Sequence, residues 1–142
     1  MRFCPARAIE TEAAHCGDWF ISDTAFGPLV HAKLYIAQEN SGRLVTLVRN
    51  KAREIAETEN RDLILVDGPP GTGCPVIASI GGVDLALIIT EPTLSGLHDL
   101  ERACELTRHF HVKTAVCVNK HDINPAITSR IEETAAKLDV PV

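Results

Sequence analysis

The chain has 142 residues, of which 45% are apolar and 4% aromatic, and its formal net charge is −5. That length suffices for one domain with a single core of Val, Ile, Leu and Ala, the usual filling between helices and a parallel sheet. Negative charge without a basic cluster argues against a nucleic-acid partner. The apolar runs are far shorter than the roughly 20 residues of a spanning helix, and residues 1–10 do not resemble a signal peptide. We therefore expect a cytoplasmic protein.

The N-terminal part of the chain differs in character from the remainder. Residues 1–17 contain little that could form a core, and they look like the end of another structural unit. Residues 18–34 are rich in β-prone side chains around a Gly27-Pro28 break, which predicts a β-hairpin. We accordingly divide the chain into residues 1–17 and residues 18–142.

The remaining elements alternate between helical and strand patterns. Asn40 or Ser41 can cap a helix that leads into the first of three short apolar runs. Each run ends in a polar residue, which is typical of strands covered on both faces; the runs are residues 62–67, 84–90 and 113–119. Helical periods follow over residues 97–110 and 127–138. This alternation predicts an α/β fold in which right-handed crossovers join a parallel sheet.

The cysteines indicate a protein without structural disulfides. They are five in number, irregularly spaced and without a Cys-x-x-Cys pair. Cys104 and Cys117 lie in apolar patterns and are predicted to be small buried residues. Cys74 is interpreted as a small residue at a tight turn, although an exposed thiol on that loop is the alternative.

The first predicted strand ends in an aspartate followed by a stiff glycine- and proline-rich loop. Asp67 can hold magnesium through water, and the amides of Gly68 and Gly71 can respond to a terminal phosphate. The loop also has glycines at the spacing of a Walker A motif, but Cys74 and Pro75 stand where that motif needs lysine and a hydroxyl residue. We interpret the stretch as Walker B and switch chemistry; an ordinary strand-to-helix turn is the alternative.

Polar residues also follow the other two strands, at the edge where open α/β sheets bind ligands. After Thr90 and Pro92, hydroxyl side chains such as Ser95 can cap the next helix and leave its positive end facing a ligand, although capping alone explains Ser95 equally well. Asn119 can donate and accept hydrogen bonds at a purine edge, and Asp122 can accept from guanine amino groups. We therefore predict nucleotide contacts for Thr90, Pro92, Asn119 and Asp122.

Three segments together resemble one family of nucleotide hydrolases. They are DLILVDGPPGTGCPVI, LALIITEPTLSGLHDLERA and AVCVNKHDIN, and they resemble the MinD/Mrp-like P-loop ATPases, in particular the branch with an inserted ferredoxin domain. FCPARAI, which contains Cys4, resembles the last cysteine motif of a bacterial ferredoxin. The resemblance covers nearly the whole chain. It implies a Rossmann-like, P-loop NTPase-type sheet that binds ATP and Mg²⁺, coupled to dimerisation.

For the intact protein the resemblance further implies a 4Fe-4S cluster with Cys4 as one ligand, and an iron–sulfur or redox protein as partner. In this family the Walker A loop precedes the insert, and no Gly-Lys-Ser or Gly-Lys-Thr occurs in the sequence. We therefore expect the C-terminal part of such an ATPase, which by itself neither hydrolyses ATP nor holds a cluster. Roles carry over to Asp67, Gly68, Gly71, Asn119 and, less directly, Asp122.

A missing central strand would leave unpaired backbone groups and an apolar slot on the sheet. We expect the chain to fill that slot by self-association or by rearrangement of its strands. Two alternatives remain open at this point. The chain could be a non-enzymatic interaction module that keeps the fold without hydrolysis, and Asp122 could select GTP instead of ATP.

Overall fold

A computed structural model of the protein describes residues 16–36 and 42–142. The chain divides into two compact units, residues 1–39 and residues 40–142. In chain order the elements are β1 (Gly17–Thr24), β2 (Gly27–Leu34), α1 (Gly42–Thr58), α2 (Cys74–Ile80), β3 (Leu85–Thr90), α3 (Leu94–His109), β4 (Lys113–Val118) and α4 (Pro125–Lys137). Within the described ranges, none of the helices has the length and apolar content that crossing a membrane requires.

The first unit contains the predicted hairpin. β1 and β2 pair antiparallel, with Thr24 opposite Gly27. The Thr24 hydroxyl donates to the Gly27 carbonyl oxygen over 2.7 Å and accepts from the Phe26 backbone N–H over 3.2 Å. The turn is therefore Ala25-Phe26, earlier than the Gly27-Pro28 break that the sequence indicates. Gly27 has φ of 128°, a conformation that only glycine adopts without strain, and it opens β2.

The second unit is built on a parallel strand pair. β3 and β4 run in the same direction, in a register from Leu85 opposite Lys113 to Thr90 opposite Val118. α3 provides the crossover between them, as parallel pairing requires. The predicted α/β class, these two strands and the helices α1, α3 and α4 are thus confirmed.

One face of the strand pair is covered by α3 and α4. Leu100 and Ile131 are 1% and 0% exposed, and they belong to a core cluster that includes Val116 of β4, with Ile88 of β3 packed against it. Cys104 also lies in this cluster, and burial raises the pKa of its thiol. The prediction that Cys104 is buried is confirmed.

The opposite face of β3 is open to solvent. Leu85, Leu87 and Ile89 are 58%, 57% and 58% exposed, and they alternate with the covered residues, since successive side chains of a strand point to opposite faces. Cys117 of β4 is exposed as well. The prediction that Cys117 is buried is therefore wrong, because it assumed helices on both faces of the sheet and the described helices α3 and α4 pack on one.

Residues 62–67 form no strand, contrary to the prediction from their apolar run. Leu63 and Leu65 are 79% and 91% exposed. A strand exists only with a hydrogen-bonded neighbour, and in this unit the described sheet consists of β3 and β4 paired with each other. The run therefore has the composition of a buried strand without the neighbour that would make it one.

The helices α1 and α2 pack against each other. Pro75 lies in the first turn of α2, where its missing N–H costs no hydrogen bond. Sequence patterns miss α2 because seven residues are too few for a helical period. The predicted cap at Asn40 or Ser41 lies outside the described residues, as does Cys4.

The chain returns to the sheet after α4. The Val116 backbone N–H in β4 donates to the Pro141 carbonyl oxygen over 2.8 Å. Pro141 has no N–H to donate in return. This contact lies at the edge of β4, next to the end of the described chain.

The exposed face of β3 leads to a testable expectation. We expect the chain to self-associate in solution, and Leu87→Glu to weaken that association at least about tenfold, because the substitution removes one leucine's burial and places a charge there. Sedimentation velocity over a concentration series measures the effect. Leu94→Glu is the control, since Leu94 is equally apolar and 67% exposed at the start of α3. A monodisperse monomer for the unmodified chain contradicts the expectation.

Candidate functional site

The carboxyl ends of β3 and β4 lie side by side. The Asn119 backbone N–H donates to the Thr90 carbonyl oxygen over 2.8 Å, which continues the strand pairing for one residue beyond β4. Just beyond it, Lys120 Nζ and Glu91 Oε1 form an ion pair at 2.6 Å. Both side chains are about half exposed, so the pair adds little stability, but it joins the two loops. The structure thus brings together Thr90 and Asn119, two of the predicted residues at the ends of the second and third predicted strands.

Thr90 and Pro92 are buried beneath this edge. The Thr90 hydroxyl donates to the Gly96 carbonyl oxygen over 3.0 Å. Thr93, and not Ser95, caps α3, since its hydroxyl accepts from the Gly96 N–H over 2.9 Å. The hydroxyl groups at the end of β3 therefore hold the first turn of α3 against the strand.

Gly96 occupies the tightest position of this arrangement. A Cβ atom there would meet the Glu91 carbonyl oxygen and would lie 2.8 Å from the Thr90 hydroxyl oxygen. Contacts this close do not occur for real Cβ atoms, and a backbone carbonyl cannot simply rotate away. Glycine is therefore required at the point where α3 approaches the end of β3.

The loop after β4 presents two polar side chains to solvent. Asn119 and Asp122 are exposed, and among the residues that the structure describes, none hydrogen-bonds to either side chain. Lys120 between them has φ of 55°, and the Thr128 hydroxyl of α4 donates to the His121 carbonyl oxygen over 2.7 Å. The backbone of the loop is held in place while the Asn119 and Asp122 side chains remain available to a ligand.

The loop after Asp67 is attached to α2 and α3. Asp67 is exposed, and a Cβ atom at Gly68 would lie 3.3 Å from the Ser79 hydroxyl oxygen of α2. Gly71 has φ of 94°, which again favours glycine. The Thr72 hydroxyl accepts from Arg102 of α3 over 3.0 Å. Within residues 42–142, no hydrogen bond or ion pair joins this loop to the loops after β3 and β4.

Metal-binding side chains do not cluster in the described part of the chain. Among residues 16–36 and 42–142, no group of three His, Cys, Asp or Glu side chains lies close enough to hold an ion.

A cleft lies between α1 and α2 and is lined by none of the predicted site residues. Its volume is about 260 Å³, and two arginines of α1, Arg49 and Arg53, line it. Sequence reasoning misses these residues. The available signal is their spacing, because residues four apart share one face of a helix.

Comparison with known proteins gives two relatives in the archaeon Methanocaldococcus jannaschii, both named only as uncharacterized proteins. The first is 36% identical over 97 residues, which make up 68% of this chain and 34% of the relative. The second is 24% identical over 98 residues, or 69% of this chain and 35% of the relative. The chain thus spans about a third of the length of the curated relatives it matches. No family model matches the chain, and no solved structure matches it.

The packing at Gly96 can be tested by one substitution. We expect Gly96→Ala to lower the free energy of unfolding by about 1–3 kcal/mol, because the added methyl group forces the first turn of α3 away from Thr90. Urea unfolding followed by circular dichroism measures this. Ser95→Ala is the control, since its exposed hydroxyl makes only a 3.4 Å contact to Asp99. Equal stability of the two variants would refute the constraint at Gly96.

Proposed function

We propose that this chain is the C-terminal portion of a MinD/Mrp-like nucleotide-binding ATPase and supplies its Walker B, switch and base-recognition elements. Its sheet is then a part of a Rossmann-like, P-loop NTPase-type sheet. The observation that carries the proposal is the hydrogen bond from Asn119 to Thr90. It aligns the carboxyl ends of two parallel strands, which is where sheets of this class bind ligands.

Asp67 is the proposed partner of magnesium. Its carboxylate is exposed and has no hydrogen-bond or ion-pair partner in the described ranges. That fits a single carboxylate that holds Mg²⁺ through water while nucleotide phosphates supply further oxygen ligands. When bound, the ion would neutralise negative charge on the phosphates while the terminal phosphoryl group is transferred to water.

The switch role falls to Gly68–Gly71. Exposure of Gly68 and Gly71 supports this role, because their amides can donate to a terminal phosphate without a side chain in the way. The Arg102–Thr72 hydrogen bond would transmit movement of the loop to α3. Loss of the terminal phosphate would then change the position of α3 as well as that of the loop.

Base recognition is assigned to the loop after β4. The free amide of Asn119 can both donate and accept at a purine edge, and the Asp122 carboxylate can only accept. Thr90 and Pro92 are buried, which favours a positioning role for them over direct contact with nucleotide. Their contribution is to hold the start of α3 beside the loop.

The rest of the active site is proposed to come from polypeptide that this sequence does not contain. The relatives are about three times as long as the region they share with this chain, which leaves room for a Walker A strand and a ferredoxin insert. The proposed 4Fe-4S cluster, with Cys4 among its ligands, and the proposed redox partner belong to that longer protein. Dimerisation is likewise proposed for that longer protein.

A non-enzymatic interaction module is the second candidate. The observation that favours it is the exposed apolar face of Leu85, Leu87 and Ile89, since a continuous apolar patch on a sheet marks a surface for protein contact. The free side chains of Asp67 and Asn119 favour the nucleotide reading, because a scaffold has no need of them.

Calorimetry with Mg-ATP tests the proposal. We expect no measurable binding to the 142-residue chain, and binding once the upstream part containing the Walker A loop is restored. In that longer protein, Asp67→Asn should abolish most magnesium-dependent hydrolysis, since the amide loses the negative charge that holds the ion. Asp84→Asn, at an exposed aspartate beside β3, is the control. Strong binding of Mg-ATP by the short chain would overturn the division of roles.

The preference of the restored protein for adenine or guanine nucleotides can be measured separately. We expect the restored protein to prefer ATP over GTP in a competition experiment, as the resemblance implies. Asp122→Ala should then change ATP affinity less than about threefold, because adenine lacks the guanine amino groups from which this carboxylate would accept hydrogen bonds. A clear preference for GTP that is lost in Asp122→Ala would identify a guanine nucleotide instead.

A further inference from the structure

The cleft between α1 and α2 has the chemistry of an anion site. It is lined by Thr46, Arg49, Asn50, Arg53, Ala78 and Gly81, and its volume is about 260 Å³. The four α1 residues fall at spacings of three, four and seven, so one face of the helix supplies them all. We propose that this cleft binds a phosphate group through Arg53, Asn50 and the Nε and Nη2 donors of Arg49.

Arg49 is held in place by the opposite wall. Its Nη1 atom donates to the Ala78 carbonyl oxygen over 2.6 Å and to the Gly81 carbonyl oxygen over 2.9 Å. These carbonyls lie at the C-terminal end of α2, where helical carbonyls lack partners within the helix and a cation is favourable. A guanidinium has five N–H donors, so Nη2 and Nε of Arg49 remain for a ligand.

Arg53 and Asn50 lack such partners. Among the residues that the structure describes, neither side chain makes a hydrogen bond or an ion pair. Both are exposed and both line the cleft. The nearby Glu54 is already paired with Lys51 at 2.8 Å. The cleft therefore offers unused donors next to one arginine of fixed position.

The charges in the cleft are unbalanced. Among the described residues that line it, none carries an acidic side chain. Partial burial and, secondly, the charge of Arg53 lower the pKa of the Arg49 guanidinium, which means that its positive charge is less favourable there than in water. Guanidinium groups nevertheless stay protonated. A bound oxyanion would offset both effects. It would also accept charge-assisted hydrogen bonds from the planar guanidinium groups, whose paired N–H donors match the geometry of a phosphate.

Two solvated arginines on an exposed helix face are the simpler interpretation of the sequence. Fixation of Arg49 by two carbonyls of another helix argues against it, because a solvated arginine would not span two elements. The cleft shares no residue with the loops after Asp67, β3 and β4, so either idea can fail while the other stands.

NMR titration of the full 142-residue chain tests the site. Inorganic phosphate and, separately, methyl phosphate are added at constant ionic strength, with sodium chloride as the balancing salt. We expect saturable shifts of the Arg49 and Arg53 Nε–Hε signals. Tighter binding of methyl phosphate would identify an ester-borne phosphate as the ligand, and tighter binding of inorganic phosphate would identify the free ion.

Two variants separate a built site from general electrostatic attraction. Arg53→Gln should weaken phosphate binding about tenfold, the loss of one charge-assisted hydrogen-bond pair. Arg43→Gln is the matched control, because it removes the same charge from an exposed position of α1 outside the cleft and should leave affinity unchanged. Absence of saturable shifts, or equal weakening by the two variants, would overturn the proposal.

Discussion

The β3–β4 pair depends on apolar burial that is confined to one of its faces. Parallel strands need a crossover of a dozen or more residues, and α3 provides it while α4 packs beside it. Leu100 and Ile131 from these helices lie in the same core as Val116. Because the helices hold the two strands in one register, the carboxyl ends of the strands coincide. The positions of the polar loops therefore follow from the packing of residues that take no part in chemistry.

The same one-sided packing explains which elements the sequence predicts. α3 and α4 have clear apolar periods that correspond to covered surfaces, whereas β3 and β4 have continuous apolar runs of which only one face is covered by the described helices. Residues 62–67 have an equally clear pattern, yet strand formation also requires a neighbour, which no local pattern reports. Cys117 is mispredicted for a related reason, since an unbroken apolar run does not tell which of its two faces is covered. α2 is too short to show any period.

The residues of the candidate site also differ in how far the sequence predicts them. Asn119 and Asp122 can be located from sequence because they follow a strong strand signal directly. The engagement of the Thr90 hydroxyl with Gly96, by contrast, depends on how α3 leaves the strand. Arg49 is harder still, because its partners Ala78 and Gly81 lie about thirty positions away in the chain. Contacts of this kind arise only after the helices are packed, so the spacing of residues along the sequence does not predict them.

The hydrogen bond from Val116 to Pro141 makes the two borders of the sheet unequal. A proline carbonyl occupies a donor of β4 and returns none, so that border is a poor template for a foreign strand. Nothing comparable protects β3 among the described residues. A further strand, from the same polypeptide or from another molecule, would therefore meet unpaired backbone groups along β3.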